Sequence, residues 1–212
     1  HVHLQANQFK NDYKEVIERA RKNKVSKMVI VGFDRQTIEE AIKISEEYDF
    51  IYASVGWHPV DAIDITNDDY IRIEELMSHP KVCAIGEIGL DYHWDKSPKD
   101  IQKEVFKKQI AIARKYNKPM IIHNRNATND ILEILKEENA SRIGGIMHCF
   151  SGSKEMAEEF IKLNFLISLA GPVTFKNGKK PQEVAKSIPI EKNRQIIKPG
   201  NPIKWFRALT NR

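Results

Sequence analysis

Short β-branched runs alternate with longer amphipathic stretches along most of the chain, and no other feature limits the fold as much. The runs fall at residues 27–31, 51–55, 82–86, 119–122, 144–147 and 165–168. Between them, apolar residues recur at helical spacing. Tyr13, Val16, Ile17 and Ala20 share one face of 12–23, and Ile38, Ala41, Ile42 and Ile44 do so in 35–48. Residues 68–78, 98–116, 128–138 and 154–163 follow the same pattern, with Asp100, Thr128 or Asn129, and Ser153 as residues suited to helix starts. Strands and helices in this alternation predict an α/β fold, a parallel sheet with crossover helices. An open doubly wound sheet and a closed barrel both satisfy that pattern. No G-x-G-x-x-G follows a strand, as dinucleotide folds of the open kind would show. Instead His58, Glu87, His123 and His148 each follow an apolar run. Polar residues at the C-terminal ends of several strands are what the active rim of a (β/α) barrel requires.

The 212 residues suit one domain, although a full TIM-type (β/α)8 barrel takes ~250. The expectation is therefore a barrel incomplete at both ends, over residues 1–192, followed by a divergent basic tail at 193–212. That tail holds Arg194, Lys198, Lys204, Arg207 and Arg212 with no acid, which equals the whole net charge of +5. The body is balanced, so charge alone gives no argument for nucleic acid. No apolar run approaches the ~20 residues of a membrane span, and no signal peptide opens the sequence. Cys83 and Cys149 sit in apolar runs as free thiols would, in keeping with a reducing cytoplasm.

Several residues carry chemistry. His1 and His3 lie two apart, so on an extended segment both rings point to one side and can share a metal ion. A tag remnant would read the same. Glu87, between Gly86 and Gly89, ends an apolar run; its two oxygens suit it to bridge two cations. A solvated charge at a turn is the plainer alternative. His123 and His148 stand in the same relation to successive runs, which two core histidines would rarely do, and imidazole is a common ligand of zinc and similar ions. His58, in Gly56-Trp57-His58-Pro59, is a candidate catalytic residue, as ligand, proton shuttle or substrate contact. His93 sits above Glu87, to touch substrate or pack a loop. Arg125 could take a phosphate or brace the rim. Ser151 and Gly152 could offer backbone N–H groups at a helix start, and Trp94 and Phe175 could stack bases.

At these positions the sequence resembles the TatD family of metal-dependent deoxyribonucleases, from His1 to about Lys192. The resemblance is carried by His1-Val2-His3-Leu4, Val55-Gly56-Trp57-His58-Pro59, Gly86-Glu87-Ile88-Gly89-Leu90-Asp91-Tyr92, Ile122-His123-Asn124-Arg125, Met147-His148-Cys149-Phe150-Ser151-Gly152 and Gly171-Pro172-Val173-Thr174-Phe175-Lys176-Asn177. It implies a TIM-type barrel that hydrolyses phosphodiester bonds in DNA with two divalent cations (Mg, Mn or Zn). By position, His1 and His3 would bind the first cation, Glu87 would bridge, and His123 and His148 would bind the second.

The sequence departs from that family at two places. The family supplies an aspartate in a motif reading roughly E-T-D-x-P after its last strand, and no acid follows Glu191 here. The family's first strand precedes its H-x-H, and nothing precedes His1 here. These departures imply weaker binding of the first cation, impaired catalysis and bare strand edges. Two other readings stay open: an amidohydrolase-type enzyme acting on a small ester or amide, and a catalytically defective truncated product acting at most through its tail.

Overall fold

The computed structural model describes residues 1–188. The tail expected at 193–212, the end of the expected barrel at 189–192 and the position of the family aspartate lie outside the described residues. Six parallel strands pair in sequence order: β1 (Met28–Val31), β2 (Ile51–Val55), β3 (Val82–Asp91), β4 (Met120–Arg125), β5 (Gly145–Met147) and β6 (Phe165–Ile167). The helices are α1 (Tyr13–Lys22), α2 (Arg35–Glu46), α3 (Asn67–Leu76), α4 (Lys99–Tyr116), α5 (Thr128–Glu137), α6 (Lys154–Lys162) and α7 (Lys179–Ser187). A doubly wound sheet reverses its order at a switch point. Here each crossover adds its strand on the same side, the progression that builds a ring.

The two faces of the sheet are covered differently. Ile30, Val55, Ile85, Ile122 and Met147 pack with Ile38, Phe106, Ile131 and Phe160 of the helices in one large core. On the other face Val29, Val31, Cys83, Ala84 and Ile121 form a small cluster with Tyr52, Ile146 and Leu166, all from strands. Among the described residues no helix contributes to this cluster, and the face is covered by the curl of its own sheet, as in a barrel interior. Among the described residues, no helix is long and apolar enough to cross a membrane.

The β1 edge, expected to stand bare, carries one more rung. Val2 N–H donates to Val29 O at 3.0 Å, and Val2 O accepts from Val31 N–H at 3.2 Å. This rung fixes the H-x-H segment at the rim.

Most element bounds agree with the sequence expectation to within two residues, but β3 and β4 run longer, to Asp91 and Arg125. Glu87 and His123 thus lie inside strands, not past their ends. Glu87 is therefore not a solvated charge at a turn, and Gly86 and Gly89 lie within the strand. Gly89 has φ +140°, and a Cβ there would come within 2.1 Å of the His123 carbonyl oxygen. Glycine lets β3 and β4 approach closely at the point where they carry site residues. The pairing slips between Ile85 and Ile88, where the Gly86–Glu87 peptide is cis.

Ser153 caps α6, accepting from Met156 N–H at 3.4 Å. Asp100 lies in the first turn of α4 rather than at its cap, and Thr128 opens α5. Helix α7 was not anticipated.

Candidate metal centre

Glu87 is 5% exposed, on the β3 stretch that adjoins His123 of β4. Its two oxygens face different neighbours. Oε1 lies 3.1 Å from His123 Nδ1, and Oε2 lies 3.4 Å from His1 Nε2. Two groups of possible ligands result, His1–Glu87–His148 and His58–Glu87–His123, with ligand atoms inside each within 4.8 Å of one another.

This grouping differs from the one that the sequence motifs implied. His148 sits with His1 rather than with His123; the His1 and His148 rings stack at 3.7 Å with 9° between their planes. His123 sits instead with His58, ring centroids 4.4 Å apart. The reason is the curl of the sheet. It brings the residue after β5 toward the segment on the outer edge of β1, while β2 and β4 flank β3. His3 adjoins His1, its Nε2 2.9 Å from His1 Nε2. The two rings do share a side, as an extended H-x-H requires. His3 Nδ1 is buried without a hydrogen-bond partner.

The residues present fit divalent cations. Imidazole nitrogens and carboxylate oxygens converge around each oxygen of one buried carboxylate, and an unpartnered buried nitrogen lies beside them. Such mixed N/O sets suit zinc and similar ions.

Burial opposes the charge on Glu87, but the hydrogen bond and positive field of His123 overcome it and hold the carboxyl below its ordinary range. Burial also works against charge on His123, and Glu87 and Asp91 outweigh it, so the His123 pKa is raised. His58 goes the other way: burial, then the neighbouring His123, push it down to about 4. Val60 N–H donates to His58 Nδ1 at 3.3 Å, which leaves the ring proton of neutral His58 on Nε2. Burial lowers His148 as well.

Asp91 was not singled out by sequence reasoning. It is 1% exposed, with Oδ2 2.8 Å from His123 Nε2. The signal available was its place in Gly89-Leu90-Asp91, two residues past Gly89. With the run read as ending at Gly86, nothing marked Asp91 as a strand residue.

The candidate substrate residues are exposed at the rim. Arg125 ends β4, its guanidinium carbon 5.7 Å from the Trp94 ring centroid. His93 packs edge-on against Trp94, centroids 4.8 Å apart. Trp94 and Phe175 are 54% and 57% exposed. Ser151 is exposed but lies ahead of the cap at Ser153, so it does not stand at the helix start assumed for it.

The family model described as TatD related DNase matches residues 1–193. The chain belongs to the TatD family. Bacillus subtilis YabD, an uncharacterised metal-dependent hydrolase, is 63% identical over 192 residues, covering 91% of this chain and 75% of its own. The 3′-5′ ssDNA/RNA exonuclease TatD of Rahnella sp. is 33% identical over 213 residues, covering 100% of this chain and 80% of its own. The crystal structure of YjjV, a TatD homologue from Escherichia coli K12, matches with a TM-score of 0.83 at 27% identity, covering 89% of this chain and 73% of that one. This TatD-family chain is a metal-dependent hydrolase with a TIM-barrel-like fold.

Proposed function

We propose that this TatD-family hydrolase cleaves phosphodiester bonds in DNA, acting on single strands or ends, with two divalent cations (Mg, Mn or Zn) held on either side of Glu87. The observation that carries the reading is the division of the Glu87 carboxylate, one oxygen toward His123 and the other toward His1. A carboxylate so shared suits paired cations about 3.5–4 Å apart, which when bound polarise the phosphoryl group and activate water. His1 and His148 would hold one ion and His123 the other, with His3 supporting His1. His58, neutral at working pH, would present its Nε2–H to the phosphodiester, a donor role that agrees with its catalytic assignment. Arg125 would take a neighbouring phosphate and Trp94 an unpaired base. The name of the Rahnella relative supports nuclease activity. A cytoplasmic setting agrees with free Cys83 and Cys149.

The test is chelator-stripped protein reloaded with each ion and given a labelled single-stranded oligonucleotide, the matching duplex, and a panel of small esters and amides. Metal-dependent shortening of the single strand is expected. Hydrolysis of the small esters by loaded protein that leaves the oligonucleotide intact would move the activity to the amidohydrolase reading.

A further inference from the structure

We infer that Asp91 is a positioning residue of the metal centre: its carboxylate keeps a proton on His123 Nε2, which reserves Nδ1 for a cation beside Glu87, and ties the rim loop bearing His93 and Trp94 to the same ring. The inference rests on the proposal that Glu87 and His123 hold a cation.

Asp91 lies at the end of β3, and its backbone is clamped on both sides. Its N–H donates to Gln102 Oε1 at 2.9 Å, and Gln102 Nε2 donates to its carbonyl at 2.9 Å. Gln102 is itself buried. The side chain is saturated too. Oδ1 accepts from the backbone N–H of His93 at 2.9 Å and of Trp94 at 3.3 Å, while Oδ2 faces His123 Nε2 at 2.8 Å. An ionised carboxylate only accepts. His123 Nε2 must therefore be the donor to Asp91; Nδ1 likewise donates to the Glu87 carboxylate until a cation takes that proton's place, when the Nδ1 lone pair serves as the ligand. That nitrogen points at Glu87 Oε1, 3.1 Å away. Carboxylate, imidazole and cation would then form a relay in which the outer carboxylate orients the ligand.

D91N separates this role from simple packing. Asparagine has one side-chain oxygen, and the N–H groups of His93 and Trp94 claim it. Its NH2 then faces His123 Nε2, which must become the acceptor. The ring proton moves to Nδ1 and blocks the ligand position.

The experiment is ¹⁵N NMR of histidine-labelled protein at alkaline pH, with and without Zn2+, joined to chelator competition for Zn2+ affinity. In the unsubstituted protein, His123 should keep its Nε2–H while the Nδ1 resonance moves on adding Zn2+. In D91N, the Nδ1–H tautomer should dominate and Zn2+ affinity should fall roughly 10- to 100-fold. A merely structural Asp91 would lower the melting temperature without moving the proton between nitrogens. Coordination of Zn2+ through His123 Nε2 in the unsubstituted protein overturns the inference whether or not D91N folds. No response at any histidine overturns the metal centre itself, and the inference with it.

Discussion

Glu87 presents one oxygen to each half of the centre, and the two halves differ in how firmly the chain holds them. On the β3–β4 side, His123 has both ring nitrogens engaged, by Glu87 and by the clamped Asp91. His58 beside it is fixed by backbone bonds to Phe33 O and from Val60 N–H. On the other side, His1 and His3 flank a single sheet rung at Val2, and His148 follows a strand of only three residues. Those rings are held largely by stacking on each other and by the Nε2 contact between His1 and His3. One half is organised before any ion arrives. The other has its ligands nearby, but an ion must fix their geometry, so it should bind more weakly and exchange faster.

The strongest way to break that comparison is to remove what joins the halves. E87Q keeps the side-chain volume but puts an amide where a shared anion stood. Activity should fall by more than the ~100-fold upper range seen for outer-sphere partners. Bound metal, measured by elemental analysis, should drop from two ions per chain to at most one, retained on the His123 side. Two tightly held ions in E87Q would mean that the halves are independent.

Next in size is the backbone contact that makes the firm half firm. In G89A the new methyl would meet the His123 carbonyl at a φ that side chains disfavour. Overpacking and backbone strain together should cost ~2–3 kcal/mol, or ~4–12 °C in melting temperature. An unchanged melt would show that β3 and β4 have slack there and that the rigidity assigned to this half is not built into the sheet.

How much of this was visible in the sequence follows from the range of each interaction. Strand and helix positions were legible because apolar periodicity is local, and β2 at Ile51–Val55 was read to the residue. Glu87, His123 and His148 were legible because each ends or interrupts an apolar run, and His1 and His3 because they stand two apart. Their grouping was not. Whether His148 meets His1 or His123 depends on sheet curvature, which no local pattern encodes. Asp91 was missed for a related reason. The apolar run reads as ending at Gly86, whereas pairing with β4 carries the strand on to Asp91. Helix α7 carries Pro181 and several lysines, and only Pro181 and Val184 are buried, too faint an apolar face to register.

A smaller effect sharpens the comparison through protons. His123 has a raised pKa in the ion-free protein, so below that value an incoming ion must displace a proton. His148 is lowered by burial and has no extra proton to give up near neutral pH. Ion binding on the β3–β4 side should therefore release up to about one proton, and its affinity should weaken as pH falls below the raised value. Calorimetry in buffers of different ionisation enthalpy measures this release. H148A should retain it and H123A should lose it; the reverse result would exchange the assignments of the two halves.

The smallest expected effect concerns the rim outside both halves. Arg125 lies two residues beyond His123 on β4, yet it is exposed and rests over Trp94. Solvent screens a phosphate contact at such a position, so it is worth ~0.2–1 kcal/mol, a change of roughly 1.4- to fivefold. A contact of that kind binds substrate and transition state about equally, so R125A should act mainly on KM. It should also reduce the salt dependence of oligonucleotide binding, lowering the slope of log K against log salt by ~0.7 for a single strand. The slope is the sharper readout, since it counts phosphate charges neutralised and ignores packing. If it stays the same in R125A while KM rises, Arg125 acts by bracing Trp94, and the rim recognises the base rather than the backbone.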